Sequence, residues 1–210
     1  MAEVLSRTVR IKRLGDVAYL DALEAMRAFT ARRDETSDDE LWLLEHPPVY
    51  TLGLGADAAH GPRLDNGIPV VRVERGGEIT YHGPGQVVLY TLVDLARRDL
   101  KVRAFVSMLE QSVIDLLGEH GVRAERHPGA PGVYVDGAKI AALGIRVARG
   151  RAFHGLALNV DVDLRPFAVI DPCGYPGLAV TRTRDLGIPG TPRELGARLA
   201  EILAARLGHA

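Results

Sequence analysis

Cys173 is the residue of this chain best suited to nucleophilic chemistry. It is the single cysteine, and it lies in the stretch 170–177, where prolines and glycines exclude a helix interior and a central strand. A lone cysteine cannot form an internal disulfide or by itself hold a structural zinc, so its chemistry would be that of a thiol. A thiol of pKa about 8.5 is only about 3% thiolate at pH 7, and lowering that pKa by about two units raises the thiolate to roughly three quarters.

Lys139 is the residue that could supply the positive charge. Of the 26 basic residues, only Lys12, Lys101 and Lys139 are lysines. Lysine, unlike arginine, can lose its proton near neutral pH when it is desolvated. Lys139 follows an Asp-Gly turn at 136–137 in an apolar hairpin, where its side chain would be partly desolvated, although lysines beside turns are more commonly solvated. The fold would have to bring it to Cys173 across 34 positions of sequence.

The stretch 75–86 is the third candidate element, with four glycines, a proline, an arginine and a histidine within twelve residues. Glycines let backbone N–H groups face a ligand, and a proline stiffens the loop, although glycine-rich turns between strands are also common. His82 and His154 could be catalytic, but histidines beside glycine more often fix a loop by hydrogen bonds, and we expect the same of Asn159. His82, His127, His154 and Cys173 lack the short paired spacing of metal ligands, so we predict no metal.

The elements that must position these residues follow from hydrophobic periodicity. Strands are predicted at 8–14, 41–45, 49–53, 70–73 and 86–94, with 75–86 as a loop, and hairpins over 132–162 turn at 136–137 and 149–150. Asp16 is predicted to cap a helix whose apolar face is Tyr19, Ala22, Leu23, Met26 and Phe29. A second helix is predicted over 102–120, and a capping box at 191–194 opens a third. The pattern predicts an α/β fold.

Composition sets the class of protein. A chain of 210 residues and 22.7 kDa with 47% apolar content can bury one core, so we predict a single domain over 1–210. A net charge of -1 argues against nucleic acid as the main partner. No apolar run approaches the roughly 18 to 20 residues of a membrane span, and no secretory signal is evident, which predicts a cytoplasmic protein.

Five ordered motifs resemble the lipoyl (octanoyl) transferase family. They are Glu-His-Pro-Pro-Val-Tyr-Thr-x-Gly at 45–53, Arg-Gly-Gly-x-x-Thr-x-His-Gly-Pro-Gly-Gln at 75–86, Lys-Ile-Ala-Ala-x-Gly-x-Arg at 139–146, His-Gly-x-Ala-x-Asn at 154–159 and Pro-Cys-Gly at 172–174. The resemblance implies an α/β (α+β) fold with a mixed sheet and helices packed mainly on one side, similar to the biotin and lipoate protein ligases.

The resemblance also implies the reaction. An octanoyl group would pass from octanoyl-acyl carrier protein, through a thioester on Cys173, to a lysine ε-amine on the lipoyl domains of 2-oxoacid dehydrogenases and on the glycine cleavage H protein. Lys139 would complete a Cys/Lys dyad, with no cofactor and with the enzyme as a monomer. The residues implied to bind substrate are Arg75, Gly76, Gly77, Glu78, Ile79, Thr80, Tyr81, His82, Ala142, Leu143, Gly144, Gly155, Leu156 and Ala157.

Some readings stay open at this point. Arg75 could anchor the glycine-rich loop or meet the acidic carrier protein, and Arg146, Arg149 and Arg151 could form a second patch for that carrier or a solvated hairpin tip. A lipoate or biotin ligase would use the same fold to activate a free acid with ATP and would need no nucleophilic thiol. A non-catalytic module that binds the carrier or senses thiols is the third reading.

Overall fold

The computed structural model describes residues 9–56, 61–171 and 177–208. Within these ranges no helix is both long enough and apolar enough to cross a membrane. The helices are α1 (Tyr19–Arg32), α2 (Val102–Glu119) and α3 (Pro192–Gly208). The strands are β1 (Val9–Asp16), β2 (Asp39–Glu45), β3 (Val49–Leu52), β4 (Val70–Arg72), β5 (Ile79–His82), β6 (Gln86–Asp94), β7 (Glu125–His127), β8 (Ala130–Val135), β9 (Ala138–Ala148) and β10 (Arg151–Asn159).

A mixed seven-stranded sheet forms the centre of the fold. Its order is β1-β2-β6-β10-β9-β8-β7, and β1 and β2 pair in parallel while every other pairing is antiparallel. The turns at 136–137 and 149–150 join β8 to β9 and β9 to β10, as predicted. A second sheet of order β4-β3-β5 lies beside it, with β3 parallel to β4 and antiparallel to β5. The mixed α/β fold predicted from the sequence is confirmed.

The two faces of the large sheet carry different layers because side chains alternate along each strand. Leu41 and Leu43 of β2 pack with apolar residues of α2 and α3, whereas Trp42 and Leu44 pack with α1. Two of the three helices therefore cover one face. A third cluster lies under the small sheet and includes Tyr81 and Phe167.

Three local predictions need correction. Asp16 does not cap α1, because it is the last residue of β1 and Ala18 occupies the N-cap position without a side-chain hydrogen bond. The stretch 75–86 is not loop throughout, because 79–82 forms β5, in which Ile79 and Tyr81 are buried and the backbone pairs with β3. The predicted strands do not include β7, whose three residues Glu125–His127 are polar and show no alternation with apolar residues.

The predicted buried face of α1 and the predicted capping box of α3 are both confirmed. Tyr19, Ala22, Leu23, Met26 and Phe29 are the predicted face of α1, and all five are buried. The capping box of α3 forms, with the Thr191 N–H donating to Glu194 Oε2 at 2.8 Å and the Glu194 N–H donating to Thr191 Oγ1 at 3.3 Å.

Candidate active site

A pocket lies between β9 and β10 of the large sheet and the glycine-rich segment 75–82. It contains about 730 Å³ of empty space, part of it open to solvent. The predicted site residues that line it are Arg75, Gly77, Glu78, Ile79, Thr80, His82, Lys139, Ala142, Leu143, Gly144, Gly155, Leu156 and Ala157.

Two of the residues predicted to bind substrate do not line this pocket. The Gly76 N–H donates to the carbonyl of Ile145 at 2.9 Å, so Gly76 joins the glycine-rich segment to β9. The ring of Tyr81 packs against those of Tyr50 and Phe167, with centroids 5.5 Å apart in each case. Its side chain belongs to the core under the small sheet.

Arg75 holds the glycine-rich segment in shape. It is buried, and its Nη2 donates to the Thr51 carbonyl at 2.7 Å, to Thr51 Oγ1 at 2.7 Å and to the Glu78 carbonyl at 2.8 Å. Its Nη1 donates to the Gly76 carbonyl at 2.9 Å. These hydrogen bonds hold the glycine-rich segment against β3. Of the two roles that the sequence leaves open for Arg75, they favour anchoring of the loop over contact with the carrier protein.

Glycines are required where this segment meets its neighbours. A Cβ on Gly53 would lie 2.2 Å from the Gly77 carbonyl oxygen, and a Cβ on Gly144 would lie 2.8 Å from the Gly76 carbonyl oxygen. Gly77 itself has a φ of +80°, which side chains rarely adopt. The pocket wall is therefore built from backbone in direct contact with backbone.

Lys139 lies at the start of β9 and reaches the pocket from a buried position. It is 3% exposed, its Nζ donates to the Pro131 carbonyl at 3.1 Å, and the same nitrogen lies 5.2 Å from the centroid of the Tyr134 ring. Room for this side chain comes from Gly132 on β8, where a Cβ would lie 2.7 Å from Lys139 Cε. The ammonium is thus held by a carbonyl and an aromatic face at the pocket.

Cys173 lies outside the described residues. The described segment that follows it is fixed to Lys139 through the backbone: the Lys139 N–H donates to the Ala179 carbonyl at 2.8 Å, and the Thr181 N–H donates to the Lys139 carbonyl at 3.0 Å. On the other side, Arg63 Nη1 donates to the Asp171 carboxylate at 2.5 Å. Both described flanks of the cysteine are therefore anchored, one of them to the predicted lysine.

His46 and His82 lie in one cluster of aromatic rings beside the pocket, with ring centroids 5.8 Å apart. His46 Nδ1 is 2.6 Å from the Val17 carbonyl oxygen, and its Nε2 is 2.7 Å from the Tyr90 hydroxyl. Burial lowers the pKa of His82 to about 3, with a smaller contribution from the neighbouring His46. His82 is therefore a neutral imidazole near neutral pH.

Two side-chain amides connect His82 to the segment that follows the cysteine. His82 Nδ1 is 2.7 Å from Gln86 Oε1, and Gln86 Nε2 donates to the Tyr81 carbonyl at 3.2 Å and to Asn159 Oδ1 at 3.0 Å. Asn159 Nδ2 donates in turn to the Thr181 carbonyl at 3.0 Å. Asn159 thus fixes a loop, as the sequence predicts.

His154 occupies a strained position in the pocket wall. It lies within β10 with a φ of +62°, and among the described residues neither of its buried ring nitrogens has a hydrogen-bond partner. Burial lowers its pKa to about 4, and the Arg75 guanidinium lowers it further in the same direction. The ring nitrogens do not fix a loop by hydrogen bonds, although Thr91 Oγ1 donates to the His154 carbonyl at 2.9 Å.

Comparison with known proteins places the chain in a family. The lipoyl protein ligase A/B catalytic domain matches residues 18–200. An octanoyltransferase of Azoarcus sp. (strain BH72) is 57% identical over 202 residues, which make up 96% of this chain and 89% of that protein. The chain belongs to the octanoyltransferase family. The resemblance inferred from the five motifs is confirmed.

Solved structures extend the likeness of this octanoyltransferase-family chain to its fold. A lipoate-protein ligase A bound with ATP superposes with a TM-score of 0.78 at 17% identity, over 95% of this chain and 85% of the ligase. A biotin protein ligase from Aquifex aeolicus in complex with biotin and ATP gives a TM-score of 0.59 at 11% identity, over 94% of this chain and 70% of the ligase. At these identities the match shows a shared fold.

The other polar candidates lie away from the pocket. Within 9–56, 61–171 and 177–208, no group of three or more His, Asp or Glu residues could hold a metal ion, and the predicted absence of a metal stays a prediction. Arg149 lies in the turn between β9 and β10, and Arg151 begins β10, where its Nε donates to Asp94 at 3.4 Å. Neither arginine, nor Arg146, lines the pocket, and their contact with a carrier stays a prediction.

Sequence reasoning missed several pocket residues of this octanoyltransferase-family chain. They are Tyr19 of α1, Gln86, Val88 and Tyr90 of β6, Phe167 and Val180. The three from β6 alternate along one strand, so the period of two places them on the same face of the sheet. Burial raises the pKa of Tyr19 to about 12 and that of Tyr90 well above its ordinary value, so both phenols stay protonated near neutral pH.

Proposed function

We propose that this chain transfers an octanoyl group from octanoyl-acyl carrier protein to a lysine ε-amine of a lipoyl domain, through a thioester on Cys173. Family membership supports octanoyl transfer. The observation that carries the mechanism is the buried Lys139 at the pocket, whose backbone is hydrogen-bonded on both sides to the segment that follows Cys173. This arrangement supports a short distance between the Lys139 ammonium and the Cys173 thiol.

In the first half-reaction the Cys173 thiolate attacks the carbonyl carbon of the carrier thioester. The new bond joins that carbon to Sγ, the bond to the carrier sulfur breaks, and the carrier thiolate leaves and takes up a proton from the Lys139 ammonium. Exchange of one thioester for another is nearly thermoneutral, so no ATP is required. The Lys139 ammonium would favour the Cys173 thiolate by its positive charge.

In the second half-reaction the acceptor lysine attacks the acyl-enzyme. The amine nitrogen bonds to the carbonyl carbon, the bond to Cys173 Sγ breaks, and the amine must lose protons because its reference pKa is about 10.4. Acylation removes the Cys173 thiolate charge, and Lys139, having given its proton to the leaving carrier thiolate, is then a neutral amine that can accept a proton from the incoming amine. One lysine would then serve both steps.

The acyl chain would lie along the strand pair β9–β10. Ala142, Gly144, Gly155 and Ala157 leave a slot with small walls, and Leu143 and Leu156 add apolar surface. Burial of an octanoyl chain at roughly 0.8 kcal/mol per methylene would contribute several kcal/mol and would discriminate between chain lengths. Within this proposal one domain over 1–210 carries both steps, and the acceptor proteins, the monomeric state and the cytoplasmic location stay predictions.

The test incubates the protein with octanoyl-acyl carrier protein and follows its intact mass. We expect an octanoyl adduct on the wild type and none on Cys173→Ser, and we expect transfer to an apo lipoyl domain without ATP. Activity that requires ATP and survives Cys173→Ala would favour the ligase reading. Binding of the carrier without an adduct or transfer would favour a non-catalytic module.

A further inference from the structure

We propose that His82 presents an unprotonated Nε2 to the pocket, where it accepts an N–H of the attacking lysine amine, and that Gln86 and Asn159 are positioning residues that fix this tautomer. The proposal rests on the proposed function, since it assigns a role in the second half-reaction.

The orientation of the Gln86 amide is fixed by a backbone carbonyl. Gln86 Nε2 is 3.2 Å from the Tyr81 carbonyl oxygen, which can only accept a hydrogen bond. Reversing the amide would bring two carbonyl oxygens together. Gln86 Oε1 must therefore be the atom that faces His82 Nδ1 at 2.7 Å.

Asn159 reinforces this orientation from a second carbonyl. Its Nδ2 lies 3.0 Å from the Thr181 carbonyl oxygen, so Nδ2 must be the donor there, and Oδ1 is left to accept from Gln86 Nε2 at 3.0 Å. The Thr181 N–H in turn donates to the Lys139 carbonyl at 3.0 Å. The two amides therefore fix the position of the proton on the His82 ring. They also connect His82 to the predicted catalytic lysine, Lys139.

The tautomer of His82 follows from these directions. Because Gln86 Oε1 can only accept, Nδ1 carries the proton and Nε2 keeps its lone pair. His46 has the same tautomer, since its Nδ1 faces the Val17 carbonyl, but its Nε2 is occupied by the Tyr90 hydroxyl. His82 lines the pocket, and with Nδ1 engaged, Nε2 is the nitrogen it can present to an occupant.

An imidazole in this state has a restricted chemistry. It cannot donate a hydrogen bond to the oxyanion that forms on the thioester carbonyl. It is also too weak a base to hold the proton of an amine, because burial lowers its pKa to about 3. It can accept an N–H, and in the second half-reaction the group that brings N–H donors into the pocket is the lysine amine. His82 would orient that amine while Lys139 takes the proton.

The tautomer is tested by ¹⁵N-histidine NMR at pH 7, with the His82 signals assigned by their loss in His82→Gln. We expect His82 Nδ1 to give the shift of a protonated nitrogen and Nε2 that of an unprotonated one. Gln86→Met should release this preference. The His46 signals are the internal control, because His46 Nδ1 faces the Val17 carbonyl and its tautomer should be unchanged in Gln86→Met. A wild-type protein with its proton on Nε2 would overturn the proposal.

The role is tested by measuring the two half-reactions separately. In His82→Leu we expect octanoyl adduct formation by intact mass within about threefold of the wild type. Transfer from the pre-formed adduct to an apo lipoyl domain should fall by about 10- to 100-fold, the range for loss of one hydrogen bond to a polar substrate group. His82→Gln, which keeps a side-chain acceptor, should recover part of this loss.

The outcomes separate this proposal from the proposed function. If the wild type forms no adduct, the proposed function fails whatever the tautomer of His82. If the adduct forms and both His82 variants transfer it at the wild-type rate, the role of His82 fails alone. Equal losses in both half-reactions would show that His82 shapes the pocket and does not act on the amine.

Discussion

Replacement of Gly132 by alanine tests whether Lys139 acts through its position. Gly132 has a φ of +144°, and an added Cβ would lie 2.7 Å from Lys139 Cε, 3.2 Å from Nζ and 2.7 Å from the Ala141 carbonyl oxygen. The carbonyl belongs to the paired strand β9 and resists movement. The lysine side chain is the part that can yield, and it would lose its hydrogen bond to the Pro131 carbonyl.

The size of the effect follows from the overlap. To lengthen this contact from 2.7 Å to an ordinary 3.4 Å, Lys139 Cε must move by about 0.7 Å. A misplacement of about 1 Å in a catalytic group can cost about 10²-fold in rate. We therefore expect Gly132→Ala to slow octanoyl adduct formation by about 100-fold. The strained backbone and the overlap should also lower the free energy of unfolding, by about 1–3 kcal/mol each.

The matched control is Gly137→Ala in the turn of the same hairpin. Gly137 has a φ of +80°, but a Cβ there meets nothing within 4 Å. This variant should lose about 1–2 kcal/mol of stability from backbone strain and keep the wild-type rate within about twofold. The assay is single-turnover intact mass with octanoyl-acyl carrier protein, with urea unfolding of the same samples. A Gly132→Ala protein that is folded and acylated at the rate of Gly137→Ala would refute the positional role of Lys139.

Three further predictions concern the support of the site. Asp39→Asn should lower the free energy of unfolding by about 3–5 kcal/mol in urea titrations, because the buried carboxylate pairs with Arg33, Arg97 and Arg98. Burial alone would raise the pKa of Asp39, but the Asp94 N–H and the arginines lower it, so its contribution should be lost as pH falls below about 4. Arg75→Lys keeps the charge but not the four contacts described above, and acylation should fall at least about tenfold in the single-turnover assay. The wild-type free energy of unfolding should decrease as pH falls from about 6.5 toward about 4, because in the unfolded chain His154 and His82 bind protons that their buried rings do not. His154→Asn should reduce that slope in urea titrations at several pH values, leaving the contribution of His82.

The fold could be predicted where a period is long and undisturbed. The buried face of α1, the hairpins over 132–162 and the capping box of α3 all follow from local pattern, and all are confirmed. The errors lie where tertiary contact overrides local signal. Ile79–His82 is a strand because β3 offers it a partner across the chain, and nothing in its glycine-rich surroundings signals that partner.

The site could be predicted as a set of residues but not as a geometry. The motifs predict that Lys139, the segment 75–82 and the small residues of β9 and β10 belong to one site. In the structure these elements lie around one pocket. The spacing of residues in the sequence could not show that the Arg75 guanidinium donates to four nearby acceptors. It also could not show that Gly132 leaves room for the Lys139 side chain. The first depends on Thr51 of β3, 24 positions away in sequence, and the second on the exact register of the β8–β9 hairpin.

His154 shows why the pattern of a strand is an incomplete guide to a site. Along β10, Ala152, Leu156 and Leu158 pack with the α2 and α3 layer, so strict alternation would bury the ring of His154 there as well. The φ of +62° re-aims it, and the ring instead packs against Phe153, with centroids 5.0 Å apart, and Tyr90, with centroids 6.0 Å apart. The wall of the pocket thus contains a strained backbone and two ring nitrogens that have no hydrogen-bond partner among the described residues. Such a combination reduces stability, so a variant that relieves it should be more stable, and selection for folding alone would favour that variant over the histidine.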